Sequence, residues 1–233
     1  MERNHACEIP PVPHSINKVL IEGRWKRTKD GNEFLSHIDN NWGIAVFTTR
    51  QALLCLGQCN DVYIEATSKS VPRPYKQFLT IHGFYKDRVI PIVFALMTII
   101  QVGHYRQIFA HIKRKFARLT NNQLAPLRII SDFEVALASA AETEFQQASI
   151  CRCLFHVCQA IWRKVKKLGL SRPHDRNANL QISIRKVIAI AYLPLLLVKV
   201  NFDQLCRENL TRQLCRRYTQ LCKSFWVISD EIL

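Results

Sequence analysis

The chain has 233 residues, with 33 Lys and Arg against 18 Asp and Glu, a formal charge of +15 and 48% apolar residues. That apolar share excludes a disordered basic tail, and only 7 glycines and 9 prolines exclude collagen-like and low-complexity architectures. The length allows one or two domains at roughly 100–200 residues each. The charge points to a polyanionic partner, with a basic surface that binds nothing as the plain alternative.

The start of the chain does not read as a secretory leader, because Met1-Glu2-Arg3-Asn4-His5 leads into Pro10-Pro11-Val12-Pro13 and not into an apolar run. Two 12-residue apolar runs, 89–100 and 187–198, each contain a proline. Both fall short of the roughly 20 residues of a spanning helix, so they read as core, and no membrane partner is expected. The 9 cysteines are an odd number in a chain too long for a disulfide-stapled miniprotein, which favours reduced thiols in an intracellular, non-secreted protein.

In chain order, residues 1–41 are polar and proline-bearing and read as a flexible or poorly structured lead-in. After the apolar stretch 42–47, Thr48 or Thr49 is placed to cap a helix carrying Ala52, Leu53, Leu54 and Leu56. Cys55 and Cys59 on that helix lack two further ligands nearby and read as buried thiols. Strands follow at 62–68, 77–85 and 88–98, the last two joined by the two-residue turn Lys86-Asp87. The period then changes: Tyr105, Ile108, Phe109, Ile112 and Phe116 place a helix over 104–118. A strand at 127–130, a helix at 133–145, a strand at 149–154 and a helix at 157–168 come next, stopped by Gly169. Beyond about residue 178 the pattern is helical, with Pro194 as a kink or break. The fold class is therefore α/β: a mixed sheet in the order β-β-β-α-β-α-β-α with helices packed on it, then an all-helical C-terminal segment.

Charge is unevenly placed. Residues 88–131 contain no acid and seven Lys or Arg, and residues 145–174 contain no acid and six. Arg106, Lys113, Arg114, Lys115 and Arg118 on one helix, and Arg163, Lys164, Lys166 and Lys167 on another, are candidate phosphate contacts. A solvated helix face is the alternative for each.

Two acids are candidates for chemistry. Glu65 lies inside the first predicted strand and Asp132 follows the fourth. If those strands are neighbours, the pair could hold hard divalent cations, as two-metal phosphoryl transfer requires. Asp132 also reads as part of a capping box, Ser131-Asp132-Phe133-Glu134, and Glu65 could face solvent. Cys151, Cys153, His156 and Cys158 cluster, but without the second pair of ligands a structural zinc site needs they read as packing thiols with a hydrogen-bonded histidine.

The segment from Val62 to Gln77, VYIEATSKSVPRPYKQ, resembles the Y-x-D-G-T-F-K-x-x-P-x-P-Y-x-Q stretch of Mutator-like (MULE) transposase domains. The likeness runs on through Thr80-Ile81-His82-Gly83, the stretch 89–96, Tyr105-Arg106 and Ser131-Asp132-Phe133-Glu134. It is strong over 153–165, CLFHVCQAIWRKV, continues in Leu168-Gly169-Leu170 and fades near Ala191-Tyr192-Leu193-Pro194. The resemblance covers roughly 42–200. It implies an RNase H-like core over 42–170, with 171–233 as the start of the family's helical insertion, truncated.

The resemblance further implies a DDE-type site in which two Asp and one Glu bind Mg²⁺ or Mn²⁺ and the enzyme cuts and joins DNA. Asp132 matches the second acid, and Cys153 and His156 match the family's C-x-x-H motif. Glu65 stands where the family has its first Asp, beside the altered neighbours Ala66 and Ser68, and one extra methylene in a metal site commonly removes most activity. No R-T-N-N-x-x-E-like segment carrying the third acid occurs before Leu233, and Asp203, Glu208, Asp230 and Glu231 lie in the wrong surroundings. The expectation is a degenerate, transposase-derived DNA-binding domain with an incomplete catalytic triad. An active site would take Mg²⁺ or Mn²⁺ and an inactive one no cofactor. DNA is the expected partner, a homo-oligomer is compatible, and the family implies a nuclear location. The alternatives are a fragment of a longer transposase and a domesticated, non-catalytic nucleic-acid or protein interaction module.

Overall fold

The computed structural model describes residues 13–69, 71–132, 134–190, 192–193 and 195–208. The chain divides into two compact units, Met1–Cys151 and Arg152–Leu233, each considered by itself.

The first unit is built on a seven-stranded sheet. Its strands are β1 (Leu35–Asp39), β2 (Ile44–Phe47), β3 (Asp61–Thr67), β4 (Gln77–Tyr85), β5 (Arg88–Met97), β6 (Arg128–Ser131) and β7 (Ser149–Arg152), in the spatial order β1-β2-β5-β4-β3-β6-β7. Pairings from β1 across to β3 are antiparallel and β3 pairs with β6 in parallel. From β3 onward the element order is β-β-β-α-β-α-β-α, consistent with an RNase H-like α/β fold.

Local chemistry explains the elements. Thr49 caps α1 (Arg50–Leu56), its Oγ1 accepting the Ala52 N–H at 3.1 Å. Lys86 and Asp87 both have positive φ, as a tight two-residue hairpin turn requires. Helix α2 (Val102–Thr120) buries Tyr105, Ile108, Phe109, Ile112 and Phe116 along one stripe and ends at Asn121 in the left-handed region. These side chains join the main core with Leu53, Ile64, Leu79, Ile81, Ile129 and Leu137, the last from α3 (Val135–Glu144).

Two expectations change. The stretch read as a lead-in up to residue 41 contains β1, which extends the sheet on β2; residues 1–12 lie outside the described ones. The capping box at 131–134 does not form. Ser131 donates its hydroxyl to the Asp132 carbonyl, and Glu134 sits at the N-cap of α3 without a side-chain cap. Asp132 Oδ1 instead accepts the Glu134 N–H at 3.1 Å, an Asx-type turn off the end of β6.

Gly83, inside β4, marks a close approach. A methyl there would sit 2.5 Å from Cys59 Sγ and 2.7 Å from Ile92 Cδ1, both buried. Gly83→Ala is expected to destabilise the unit by about 1–3 kcal/mol through overpacking. Urea titration of both proteins measures this, and an unchanged midpoint would contradict the packing.

The second unit is helical: α4 (Leu154–Lys167), α5 (Ser171–Arg176), α6 (Ala178–Ile190) and α7 (Leu195–Glu208). Val157, Ile161 and Val165 of α4 are buried, as are Leu180, Ile184 and Val187 of α6. Gly169, at φ +68°, ends α4, and Leu170 N–H returns to the Val165 carbonyl at 3.0 Å. Among the described residues no helix is long and apolar enough to cross a membrane.

Candidate functional site

Strand pairing brings the segments that carry the two candidate acids next to each other. β3 and β6 pair Asp61 with Arg128 through Ile64 with Ser131, and Glu65 and Asp132 are the residues that follow that ladder on each segment. Adjacent strands lie about 4.8 Å apart. A bidentate ion pair secures this register, Arg128 Nε and Nη2 meeting Asp61 Oδ1 and Oδ2 at 2.6 and 2.7 Å, and it holds the Asp61 carboxyl below its usual range.

Period-two alternation sets the face. Ile64 is buried towards the core, so Glu65 lies on the opposite face and is exposed, whereas Asp132, just past the end of β6, is half-buried and near enough to Glu134 and Tyr105 to act on both electrostatically. His82 of β4 shares that face; burial lowers its basicity while the Glu65 carboxylate raises it.

Under Asp132 lies a polar cluster that sequence reasoning did not assemble. Glu134 accepts a hydrogen bond from the Tyr105 hydroxyl on Oε1 and one from Gln77 Nε2 on Oε2 at 3.0 Å. Gln77 and Tyr105 are buried, and burial drives the Tyr105 phenol far above its ordinary value. Burial also raises the Glu134 pKa, with the nearby Asp132 charge adding to it and the Tyr105 and Gln77 hydrogen bonds opposing. The signal was present. Gln77 shares the parity of Leu79 and Ile81 in a strand, and the phenol of Tyr105 lies on an apolar helical stripe. A polar group in such a position needs a buried partner.

The fit to a divalent-metal centre is partial. Glu65 and Asp132 lie on neighbouring segments, while both Glu134 oxygens are occupied by Tyr105 and Gln77. Among the described residues no group of three or more His, Cys, Asp or Glu side chains is placed to hold a metal ion. The described residues therefore do not make a complete two-metal site.

Cys153 stands at the N-cap of α4 and its carbonyl accepts the N–H groups of His156 and Val157. His156 lies in the first turn, its Nδ1 buried without a hydrogen-bond partner among the described residues. Cys55, Cys59, Cys151, Cys153 and Cys158 are free thiols, and burial pushes Cys59 up to about 11.

The basic residues divide into two groups. Arg106 and Lys113 pair with Glu144 at 3.0 and 3.3 Å, and Lys115 pairs with Glu33 at 3.5 Å. Arg114 and Arg118, one turn apart on the exposed side of α2, are in no ion pair among the described residues. On α4, Arg163 donates to the Gln159 carbonyl, and Lys164, Lys166 and Lys167 fill the last turn, where cations complement the helix dipole.

Beside Arg114 and Arg118, β1 meets α2 through two histidines. The His37 and His111 rings stack with centroids 4.6 Å apart, and Ser36 Oγ lies 2.8 Å from His111 Nε2. Burial, then His37, Lys115, Arg114 and Arg118, hold His111 down at about 4 against 6.5 ordinarily. The unfolded chain therefore binds the extra proton first, so stability is present above pH 6.5 and declines as pH falls towards 4. Melting curves at pH 7, 5.5 and 4.5 should show a fall in Tm that His111→Gln reduces. Parallel curves for the two proteins would refute the assignment.

In comparison with protein families, residues 64–160 match the model of the MULE transposase domain. No curated protein matches the chain. The matched span contains β3–β7 apart from the first residues of β3, the acids Glu65 and Asp132, the polar cluster of Gln77, Tyr105 and Glu134, and Cys153 and His156.

Proposed function

We propose, from the premise that residues 64–160 are a MULE transposase domain, that this chain is a transposase-derived DNA-binding module in which metal-dependent cleavage is lost. The observation that carries the DNA reading is the set of cations left out of ion pairs among the described residues: Arg114 and Arg118 on α2, with Lys164, Lys166 and Lys167 on α4. Arg163 completes the α4 set. Such groups bind phosphates without reading sequence. Glu65 keeps the charge of the family's first acid on a longer stem, which would misplace a divalent cation shared with Asp132 for strand cleavage. A nuclear site of action accompanies a DNA partner.

Fluorescence anisotropy with a labelled duplex over a salt series tests the binding. Taken by itself, the Arg114 and Arg118 pair of the first unit predicts a log–log slope of about −2, a loss of about tenfold between 50 and 200 mM salt. Arg114→Gln combined with Arg118→Gln should reduce the slope by about 2. A flat salt response would refute phosphate binding. Cutting or joining of DNA by the native chain in Mn²⁺, abolished by Asp132→Ala, would refute the loss of cleavage.

A further inference from the structure

The geometry points to a phosphate-binding site at the junction of β1 and α2, in which His37, His111 and Ser36 take a DNA backbone phosphate together with Arg114 and Arg118. This rests on the DNA-binding reading above and deepens it by placing one contact and coupling it to a proton.

Three observations converge there. The imidazoles of His37 and His111 stack at 4.6 Å and 18°, an arrangement that suits two neutral rings or one neutral and one charged, and opposes two cations. Around His111 stand Arg114, Lys115 and Arg118 from its own helix and His37 and Ser36 from β1. The acid paired into the cluster is Glu33, on Lys115 at 3.5 Å, and it is exposed. Three permanent cations around a half-buried imidazole form a local concentration of positive charge that an anion relieves.

The Ser36–His111 hydrogen bond supplies the coupling. With the imidazole neutral, its Nε2 can accept the Ser36 hydroxyl hydrogen. Protonated, Nε2 must donate to Ser36 Oγ, and the serine hydrogen turns outward, free to meet a phosphate oxygen. An arriving phosphodiester cancels the field of Arg114, Lys115 and Arg118 and raises the proton affinity of His111. By linkage, the proton raises the affinity for phosphate equally. Binding takes up a fraction of a proton, at most about half of one near pH 4.5, transferred from solvent to His111 with no covalent change.

The test is an NMR titration of the histidine ring protons in the full chain, alone, with a 20-base-pair duplex, and with inorganic phosphate. The His111 resonance is identified by its loss in His111→Gln. The free midpoint near 4 should rise by about one pH unit with the duplex. Duplex affinity should increase about threefold between pH 7 and pH 4.5 beyond any change shown by His111→Gln. If that variant does not fold, the midpoint in the native chain decides alone, with Ser36→Ala, which removes the relay, expected to lessen the shift.

A duplex that binds without moving the His111 midpoint would overturn this site and leave the DNA-binding reading standing. Inorganic phosphate that moves it while the duplex does not would overturn the backbone assignment in favour of a small-anion site. No duplex binding at any salt, with the midpoint unmoved by either probe, would sink both. A shift with the duplex supports the site whether or not free phosphate reproduces it; a shift with both shows that a single phosphate is enough.

Discussion

Glu134→Ala is expected to lower the stability of the first unit by about 3 kcal/mol. The side chain receives the Tyr105 hydroxyl on one oxygen and Gln77 Nε2 on the other. Removing it leaves both donors without that acceptor in the interior, where Tyr105 is fully enclosed and Gln77 nearly so. An unmade hydrogen bond on a buried group costs about 1–3 kcal/mol, more where a charge is involved. The Tyr105→Phe change removes one donor and keeps the carboxylate, so its cost should be smaller, about 1–2 kcal/mol. A double-mutant cycle measured by urea unfolding separates these effects. The double variant should lose less than the sum of the singles, because the lost bond is shared. Strict additivity would show that the two residues do not interact. Through the Glu134 N–H to Asp132 Oδ1 contact, the same variants should loosen the turn that carries Asp132, visible as faster amide exchange at Glu134.

Phe109→Ala should cost about 3–5 kcal/mol. Phe109 has no solvent exposure and meets Phe145 edge-on at 5.5 Å, joining α2 to the end of α3 within the core of the sheet. The loss combines buried apolar area, the residual cavity and the aromatic pair, which adds about 0.5–1.5 kcal/mol. The functional consequence follows from position. Phe109 fixes the helix whose other side presents Arg114 and Arg118 and whose buried stripe holds Tyr105. Chemical denaturation measures the stability. A change below about 1 kcal/mol would mean that the site collapses around the smaller side chain.

Much of the fold was legible because its signals are local. Alternation in β4 and β5, the Lys86-Asp87 turn, the apolar stripe of α2 and the stop at Gly169 each depend on residues a few positions apart. Element ends moved by one to three residues, as frayed ends and caps do. β1 escaped because it is short and its burial does not alternate; the strand is defined by its pairing to β2.

Charge pairing is set by packing and not by neighbours in the chain. Residues 88–131 contain no acid, so a scan along the sequence reads their cations as unopposed. Glu33, Asp61 and Glu144 reach Lys115, Arg128, and the pair Arg106 and Lys113 across separations of 31 to 82 residues. Ion pairing in a folded chain is set by which surfaces meet, so an acid-free run does not make an uncompensated helix.

The sequence by itself determined the order of strands and helices from β3 onward, the excess of positive charge and the family likeness, because each is written in neighbouring residues or in motifs. Tertiary structure decided the rest. It put the segments of Glu65 and Asp132 next to each other through the parallel pairing of β3 and β6 and closed Gln77, Tyr105 and Glu134 into one buried cluster. It also divided the cations of the described residues into those in ion pairs and those outside them, and stacked His37 on His111 within the electrostatic reach of Arg114 and Arg118. Each of these joins residues far apart in the chain, and their distance is fixed only when the packing of the core selects one register and one face.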